Sequence, residues 1–379
     1  MNAPVTDKSL AVLDRTAETF VLNLGPQHPA THGVLRVKLT MDGEYIVHAE
    51  PVLGYIHRMH EKMGENRTWA QFMPNTGRLD YLGALSYNHG YCLAAERAEG
   101  IEVPERAEYI RCITVELNRI ASHLLWFGAF VLDLGGFTPL LYAFDDREQI
   151  LDLLESVTGA RLTFCYFRFG GVYNDIDDNF ITGAKAFVKR LRSRMPMYHD
   201  LVTKNIILIK RLKDIGPLSQ ELCRRYGATG PVLRGSGVCF DVRKHEPYSV
   251  YPEFDFDIPV YHECDSMARY MVRMDEIEQS LRIVEQGLDK LPDGPVMAAK
   301  APKILKPAKG DYYAAVEAAR GSFGIRVVSD GTNTPYRLKL RSPTFSNLSL
   351  FSEACQGMIL PDALALMGTL DLVIPEIDR

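Results

Sequence analysis

A few side chains stand where their types and neighbours could do acid–base or metal chemistry. His28 and His32 lie four apart in GPQHPATHG (25–33). On a helix that spacing would make a metal pair. Pro29 and Gly33 break that geometry, and no third ligand stands nearby. A loop histidine bonded to backbone is the ordinary reading. Against it, a rigid Pro/Gly loop at a strand entrance can present polar groups. Tyr81, in GRLDY (77–81), brings a phenol with a reference pKa of about 10. Most tyrosines in such places are half-buried packing residues. Arg78, three residues earlier, is either a surface charge or faces a buried anionic centre. Asp133 falls in the last turn of a long predicted helix, where the macrodipole disfavours a carboxylate. It wants a cationic partner. That is any nearby arginine, or a histidine that it would hold in place and keep protonated. His57 and His60, one helical turn apart, read as surface or core polar residues rather than a metal pair.

The elements that must position these groups follow from periodicity. Leu35, Val37 and Leu39 alternate with polar residues, Asp42-Gly43 supplies a turn, and Tyr45, Val47 and Ala49 alternate back. That is a hairpin, with GPQHPATHG leading into it as a shaped loop. From about residue 55 the period is helical. Asp80 is expected to cap a helix from Tyr81 to Gly100. Pro104 opens a long helix with Ile110, Ile113, Leu117, Ile120, Leu124, Phe127 and Val131 on one stripe, and Gly135-Gly136 ends it. Thr138-Pro139 starts another helix, as N-cap and first helical residue, that closes at Gly159. Met267, Tyr270, Met274, Ile277, Leu281, Val284 and Leu288 mark a fourth. Ile325 and Val327 pair with Tyr336, Leu338 and Leu340 across Asp330-Gly331 in a second hairpin. The fold class is mainly α with small antiparallel β parts, a helical bundle with an N-terminal hairpin. The expected divisions are a polar tail (1–19), a hairpin and loop domain (20–75), a long-helix bundle (76–300) and a C-terminal α/β extension (301–379).

Composition narrows the function. The chain has 379 residues and a formal net charge of -5, a poor balance for general nucleic-acid binding. The basic stretch from Lys185 to Arg225 reads as a solvated face or a contact with another protein chain. Seven scattered cysteines include no CxxC, so no cluster, zinc or redox-disulfide motif is visible. They suit a reducing compartment. GATGPVLRGSG (227–237) lacks the ending of a phosphate loop and the strand–GxGxxG–helix pattern, so no nucleotide site is indicated. The N-terminus does not look like a signal peptide. The longest apolar run, Leu124 to Leu132, is far short of the roughly 20 residues of a membrane span. The chain is expected to be soluble, or peripheral to a membrane through partners.

Many stretches together resemble one family. LNLGPQHPATHGVLR (22–36), GYIHRMHEK (54–62), ENRT (65–68), GRLDYL (77–82), VPERAEYIR (103–111), RIASHLLW (119–126), GARL (159–162), GGVYND (170–175), GPVLRGSG (230–237), DSMARY (265–270) and MGTLDLVIPEIDR (367–379) look like the D-type subunits of NADH–quinone oxidoreductase, respiratory complex I. The match runs in order from about residue 20 to the last, and GPQHPATHG is very specific. That family is similar in fold to the large subunit of nickel–iron hydrogenases, which hold their metals with two CxxC motifs. Here the corresponding regions, RTWAQFMPNTGRLDY and GTLDLVIPEIDR, contain no cysteine. Soft metal sites need thiolates, so the likeness to hydrogenase covers scaffold and not catalysis, and no metal is expected on this chain.

The resemblance implies a quinone site. His32 and Tyr81 match the histidine and tyrosine thought to hold the two quinone carbonyl oxygens. Asp133 matches the acid that pairs with that histidine. Arg78 matches an arginine near the terminal [4Fe–4S] cluster of the neighbouring B-type subunit. Reduction to quinol takes two electrons and two protons. The cluster delivers electrons, while an imidazolium and a phenol at opposite ends of the ring polarise the carbonyls and supply protons. The implied partners are the B-, C- and I-type subunits of the peripheral arm and the H- and A-type membrane subunits. NADH, FMN and iron–sulfur clusters belong to those partners, and this chain alone binds no cofactor. The expected place is the cytoplasmic side of the bacterial inner membrane. Asp133, losing its cationic partner after proton transfer, is expected to drive movement coupled to proton pumping. Unchanged pumping per electron in Asp133→Asn would refute that.

Two departures stand out. After GAR the family often has a histidine linked to a pH-dependent cluster potential, where this chain has Leu162-Thr163-Phe164. If Thr163 takes that place, weak pH dependence and a lower-potential quinone are expected. A glycine is usual where Met59 stands, which bears on the start of the local helix. Two other readings compete. One is a purely structural scaffold chain, which has no need of His32, Tyr81 and Asp133 together. The other is a hydrogenase large subunit, opposed by the missing thiolates. The electron donor, NADH or reduced ferredoxin, is not written in this chain.

Overall fold

The computed structural model describes residues 19–27 and 33–379. His28 and His32 lie outside the described residues. The architecture is mainly α with small antiparallel sheets, as the periodicities predict.

The first sheet runs β1 (Phe20–Leu24), β2 (Arg36–Asp42), β3 (Tyr45–Val52), in that order and antiparallel. Its register shifts so that Thr40 faces His48 but Met41 faces Ile46. Val47 is therefore an extra residue, a bulge. The alternation read as Tyr45, Val47, Ala49 does not survive it. Ile46 and Ala49 are buried, whereas Tyr45 and Val47 are exposed. Next come α1 (His60–Glu65) and α2 (Trp69–Thr76). Met59 precedes α1 with φ 54, a left-handed conformation in which a glycine would be unstrained. Thr68 and Gln71 form a capping box on α2.

The bundle is built from α3 (Ala84–Glu99), α4 (Glu105–Asp133), α5 (Thr138–Thr158), α6 (Asp178–Tyr198) and, later in the chain, α11 (Ser266–Asp289). Phe137 caps α5, and Pro139 follows Thr138 inside its first turn, one step on from the expected cap. α4 is the axis. Its apolar stripe packs as predicted, but its other face is also internal: Arg111, Glu116, Arg119 and His123 are all fully buried or nearly so. α6 lies outside, and its arginines Arg190, Arg192 and Arg194 pair with carboxylates of α5 and α11.

Short elements fill the middle: β4 (Phe167–Arg168), β5 (Gly171–Val172), α7 (Ile206–Leu212), α8 (Gln220–Tyr226), α9 (Pro231–Arg234) and α10 (Val242–His245). The last part holds a sheet of β6 (Gly310–Ala318), β7 (Gly321–Ser329) and β8 (Arg337–Arg341), followed by α12 (Pro343–Ser349), α13 (Phe351–Ala354), α14 (Leu360–Leu370) and α15 (Ile374–Asp378). Ile325 faces Leu340 and Val327 faces Leu338, as expected; β6 adds a third strand to that hairpin. One core joins the long helices to the β6–β7 sheet. A second joins the N-terminal sheet to α8, α9 and the C-terminal helices. Among the described residues no helix is long and apolar enough to cross a membrane.

Candidate functional site

The loop between α2 and α3 carries Arg78 and Tyr81. The helix expected to start at Tyr81 starts at Ala84, behind a Gly83 cap. Asp80 is diverted to another task. Its Oδ1 accepts the Leu82 and Gly83 amide protons, both at 3.0 Å, which folds the loop into a turn. Its Oδ2 receives Arg320 Nη1 at 3.0 Å. Asn118 of α4 clasps the far side of the loop, donating to the Leu82 carbonyl at 2.8 Å and accepting from Leu85 N–H at 3.1 Å.

Arg320 sits at the β6–β7 turn and is fully buried. Besides Asp80 it donates to Ser122 Oγ of α4 at 2.7 Å and reaches Asp371 Oδ1 at 3.3 Å. Asp371 follows α14 in a left-handed conformation, φ 52, and its Oδ2 lies 3.7 Å from Arg273 Nε of α11. Glu376 of α15 is buried beside them and accepts the Thr344 amide at 3.1 Å and the Thr344 hydroxyl. Burial, then the Asp80 charge, pushes its carboxyl well above the usual range, which favours the protonated acid.

Tyr81 rests on this base. Burial raises its phenol above the ordinary value; Arg320 pulls it down, and Asp80 and Asp371 push it up. The hydroxyl stays protonated at neutral pH. Among the described residues none accepts its hydrogen bond.

The charges continue inward. Arg273 lies over the Trp126 ring at 4.4 Å. One turn on, Glu276 accepts from Arg234 and meets His123 Nε2 at 2.9 Å. Burial opposes ionisation of Glu276, but Arg234 and His123 outweigh it and hold the carboxyl well below the usual range. Arg234 also pairs with Glu317 at 2.8 Å. Asp241 joins Arg243 at 2.6 Å, and Arg243 joins Glu116 at 3.1 Å. Burial works against the Glu116 carboxylate, and Arg119 and Arg243 overcome it to hold the group down to about 2.

The remaining predicted residues fall as follows. Arg78 is exposed. A Cβ on Gly77 would lie 2.8 Å from the Phe164 carbonyl oxygen, so the segment with Leu162 and Thr163 runs against the one with Arg78. Thr163 is strained, with φ 50. Asp133 is the last residue of α4 and exposed, about 16 Å past Ser122 along the helix at ~1.5 Å per residue. Beside it runs an open apolar groove of about 400 Å³ lined by Val131, Leu134, Phe137 and Ile207 among others. His57 Nδ1 lies 2.7 Å from the Asp378 carbonyl oxygen. His60 is buried, and burial first, then Arg58, His57 and Arg78, lower it to about 4, so it is neutral. Among the described residues no group of three or more His, Cys, Asp or Glu is arranged to hold a metal.

Sequence reasoning missed Arg320, Asp371, Arg234 and Glu276. The available signal was a charge inside an apolar or glycine-rich run: Arg234 in GPVLRGSG and Asp371 and Glu376 in GTLDLVIPEIDR.

Residues 133–309 and 301–379 match the family model described as respiratory-chain NADH dehydrogenase, 49 Kd subunit. The D-type NADH-quinone oxidoreductase subunit of Desulfotalea psychrophila is 75% identical over 96% of this chain and 97% of its own length. The D 2 form from Opitutus terrae is 67% identical over 96% of this chain and 91% of its own. The D-type subunit of Geobacillus thermodenitrificans is 49% identical over 95% and 99%. The chain belongs to the 49 Kd subunit family of respiratory-chain NADH dehydrogenase, the D-type subunits of NADH-quinone oxidoreductase.

Proposed function

We propose that this chain forms the quinone headgroup site of a complex I-type oxidoreductase, together with the neighbouring protein that carries the terminal [4Fe–4S] cluster. The observation that carries the reading is Tyr81: a protonated phenol with no described acceptor, on a loop anchored by a buried aspartate–arginine pair. Such a hydroxyl is ready to donate to a ligand. A phenol is a weak acid towards neutral quinone and a competent one towards a doubly reduced ring, so protonation waits for the electrons.

The second carbonyl would be met by His32, held protonated by Asp133. Along α4, Asn118, which clasps the Tyr81 loop, and Asp133 lie about 22 Å apart, room for a quinone ring and an imidazole in series. Arg78, exposed on the same loop as Tyr81, faces outward to the electron-delivering B-type subunit. Exposed Phe137, Leu201, Ile206 and Ile207 beside Asp133 suit a chain that is covered in its complex by partners, the H- and A-type membrane subunits among them. Proton pumping belongs to the membrane proteins, with Asp133 as the coupling group on this side.

A photoactivatable quinone tests the location in the purified complex. Labelled peptides are expected to contain residues 77–83 or the Asp133 segment, with labelling suppressed by excess quinone. Specific labelling confined to other proteins of the complex would sink the reading.

A further inference from the structure

Arg320 is on none of the stretches that suggested a quinone site, yet three parts of the fold converge on it. Its guanidinium bonds Asp80 in the Tyr81 loop (3.0 Å), Ser122 on α4 (2.7 Å) and Asp371 after α14 (3.3 Å). These partners lie far apart in the chain, so one side chain fixes the loop against the central helix and the C-terminal segment. Lysine cannot do this, because a point ammonium lacks the planar fork. Gly230 and Gly321 make the approach possible: a Cβ on Gly230 would lie 2.5 Å from the Arg320 carbonyl oxygen. The Arg320 Nε is buried and satisfied by no described residue, which is costly unless a water or ligand takes it.

The charges around Tyr81 need this arginine. Asp80 and Asp371 both oppose a negative phenolate, and Glu376 and Arg273 stand behind them with Arg379 beyond. Arg320 favours a charged Tyr81, whereas Asp80 and Asp371 oppose it. When Tyr81 gives its O–H proton to a reduced quinone oxygen, a new O–H bond forms on the quinone and the electron pair stays on the phenol oxygen. Between two carboxylates that charge is disfavoured without a cation close by.

We propose that Arg320 is the positioning residue of the site, locking the Tyr81 loop and stabilising the phenolate left when Tyr81 donates its proton. This rests on the quinone reading above.

The test uses the assembled complex with Arg320→Lys, alone and combined with Tyr81→Phe. Alone, Arg320→Lys is expected to cut quinone turnover about tenfold or more, with reduction of the iron–sulfur chain and the KM for quinone unchanged. The solvent deuterium isotope effect on turnover should rise, because proton donation becomes slower. In the Tyr81→Phe background the same substitution should change the residual rate by less than about twofold, since the group it acts through is gone. Equal losses in both backgrounds, an unchanged isotope effect or unchanged turnover each overturn the proposal. If Arg320→Lys prevents assembly, Ser122→Ala removes one of the three partners and should give the same signature at about threefold; its absence also overturns the proposal. Full turnover in Tyr81→Phe alone removes the quinone reading itself, whatever Arg320 does.

Discussion

Two sets of arginine–carboxylate pairs lie in this molecule, and they do different work. On the outside of the bundle Arg192 of α6 meets Glu278 at 3.0 Å and Glu285 at 3.1 Å, with every partner more than a third exposed. Inside, Arg234 meets Glu276, Glu317 and Asp241, and all four are at most 1% exposed. The geometry is alike and the solvent is not. Exposed pairs gain little, since water and salt screen them. Buried pairs cost much desolvation and are ordinarily poor sources of net stability, but removing one partner strands the other. A chain that keeps such a network through its core, and ends it beneath Tyr81, is spending stability on placement.

The comparison can be broken from either side. The largest effect is expected at Arg234→Met, which strands Glu276 and Glu317: a loss of about 3 to 5 kcal/mol in denaturant unfolding of the full-length chain. A loss no larger than at the surface would mean that the interior relaxes or floods. Glu376→Gln probes the acid side of the network. The folded carboxyl titrates well above the unfolded value of about 4.3. Its stabilising contribution is therefore present at low pH and is lost as pH rises past that value. Gln mimics the protonated acid, so the variant should be more stable than the parent by about 1 to 2 kcal/mol near pH 8 and equal to it near pH 4. Thermal unfolding at both pH values checks this; a gain at pH 4 alone contradicts it. The smallest effect is expected at Arg192→Ala, below about 1 kcal/mol and absent at high salt.

The elements were legible where one period ruled. The stripe of α4 and that of α11 predict long helices, and Asp330-Gly331 predicts the β7–β8 turn. β6 was missed because its buried half, Ala314 to Ala318, faces protein on both sides and shows no alternation. The bulge at Val47 depends on pairing with β2, which no local pattern encodes. Asp80 looked like a helix cap because Asx residues favour that role. Its real geometry is set by an arginine 240 residues away. The apolar stripe of α4 gave no sign that Arg111, Glu116 and Arg119 on its other face are internal; partners from α10, α11 and β5 make them so. For the site, residue type and position singled out Tyr81, Arg78 and Asp133, the resemblance implied their roles, and their supporting shell came only from the fold. Met59 stands in a left-handed turn that a glycine would adopt without strain, and α1 starts directly after it.

The most direct test is quinone reduction by the assembled complex carrying Tyr81→Phe, with the redox state of the iron–sulfur chain followed in the same sample. Phenylalanine keeps the ring and removes only the hydroxyl, so packing on the loop is preserved. The expected result is normal reduction of the clusters and a fall in quinone turnover of about a hundredfold, the usual scale for losing a general acid. Unchanged turnover would contradict the account: Tyr81 would then be a packing residue, and the protons for the quinone would come from elsewhere.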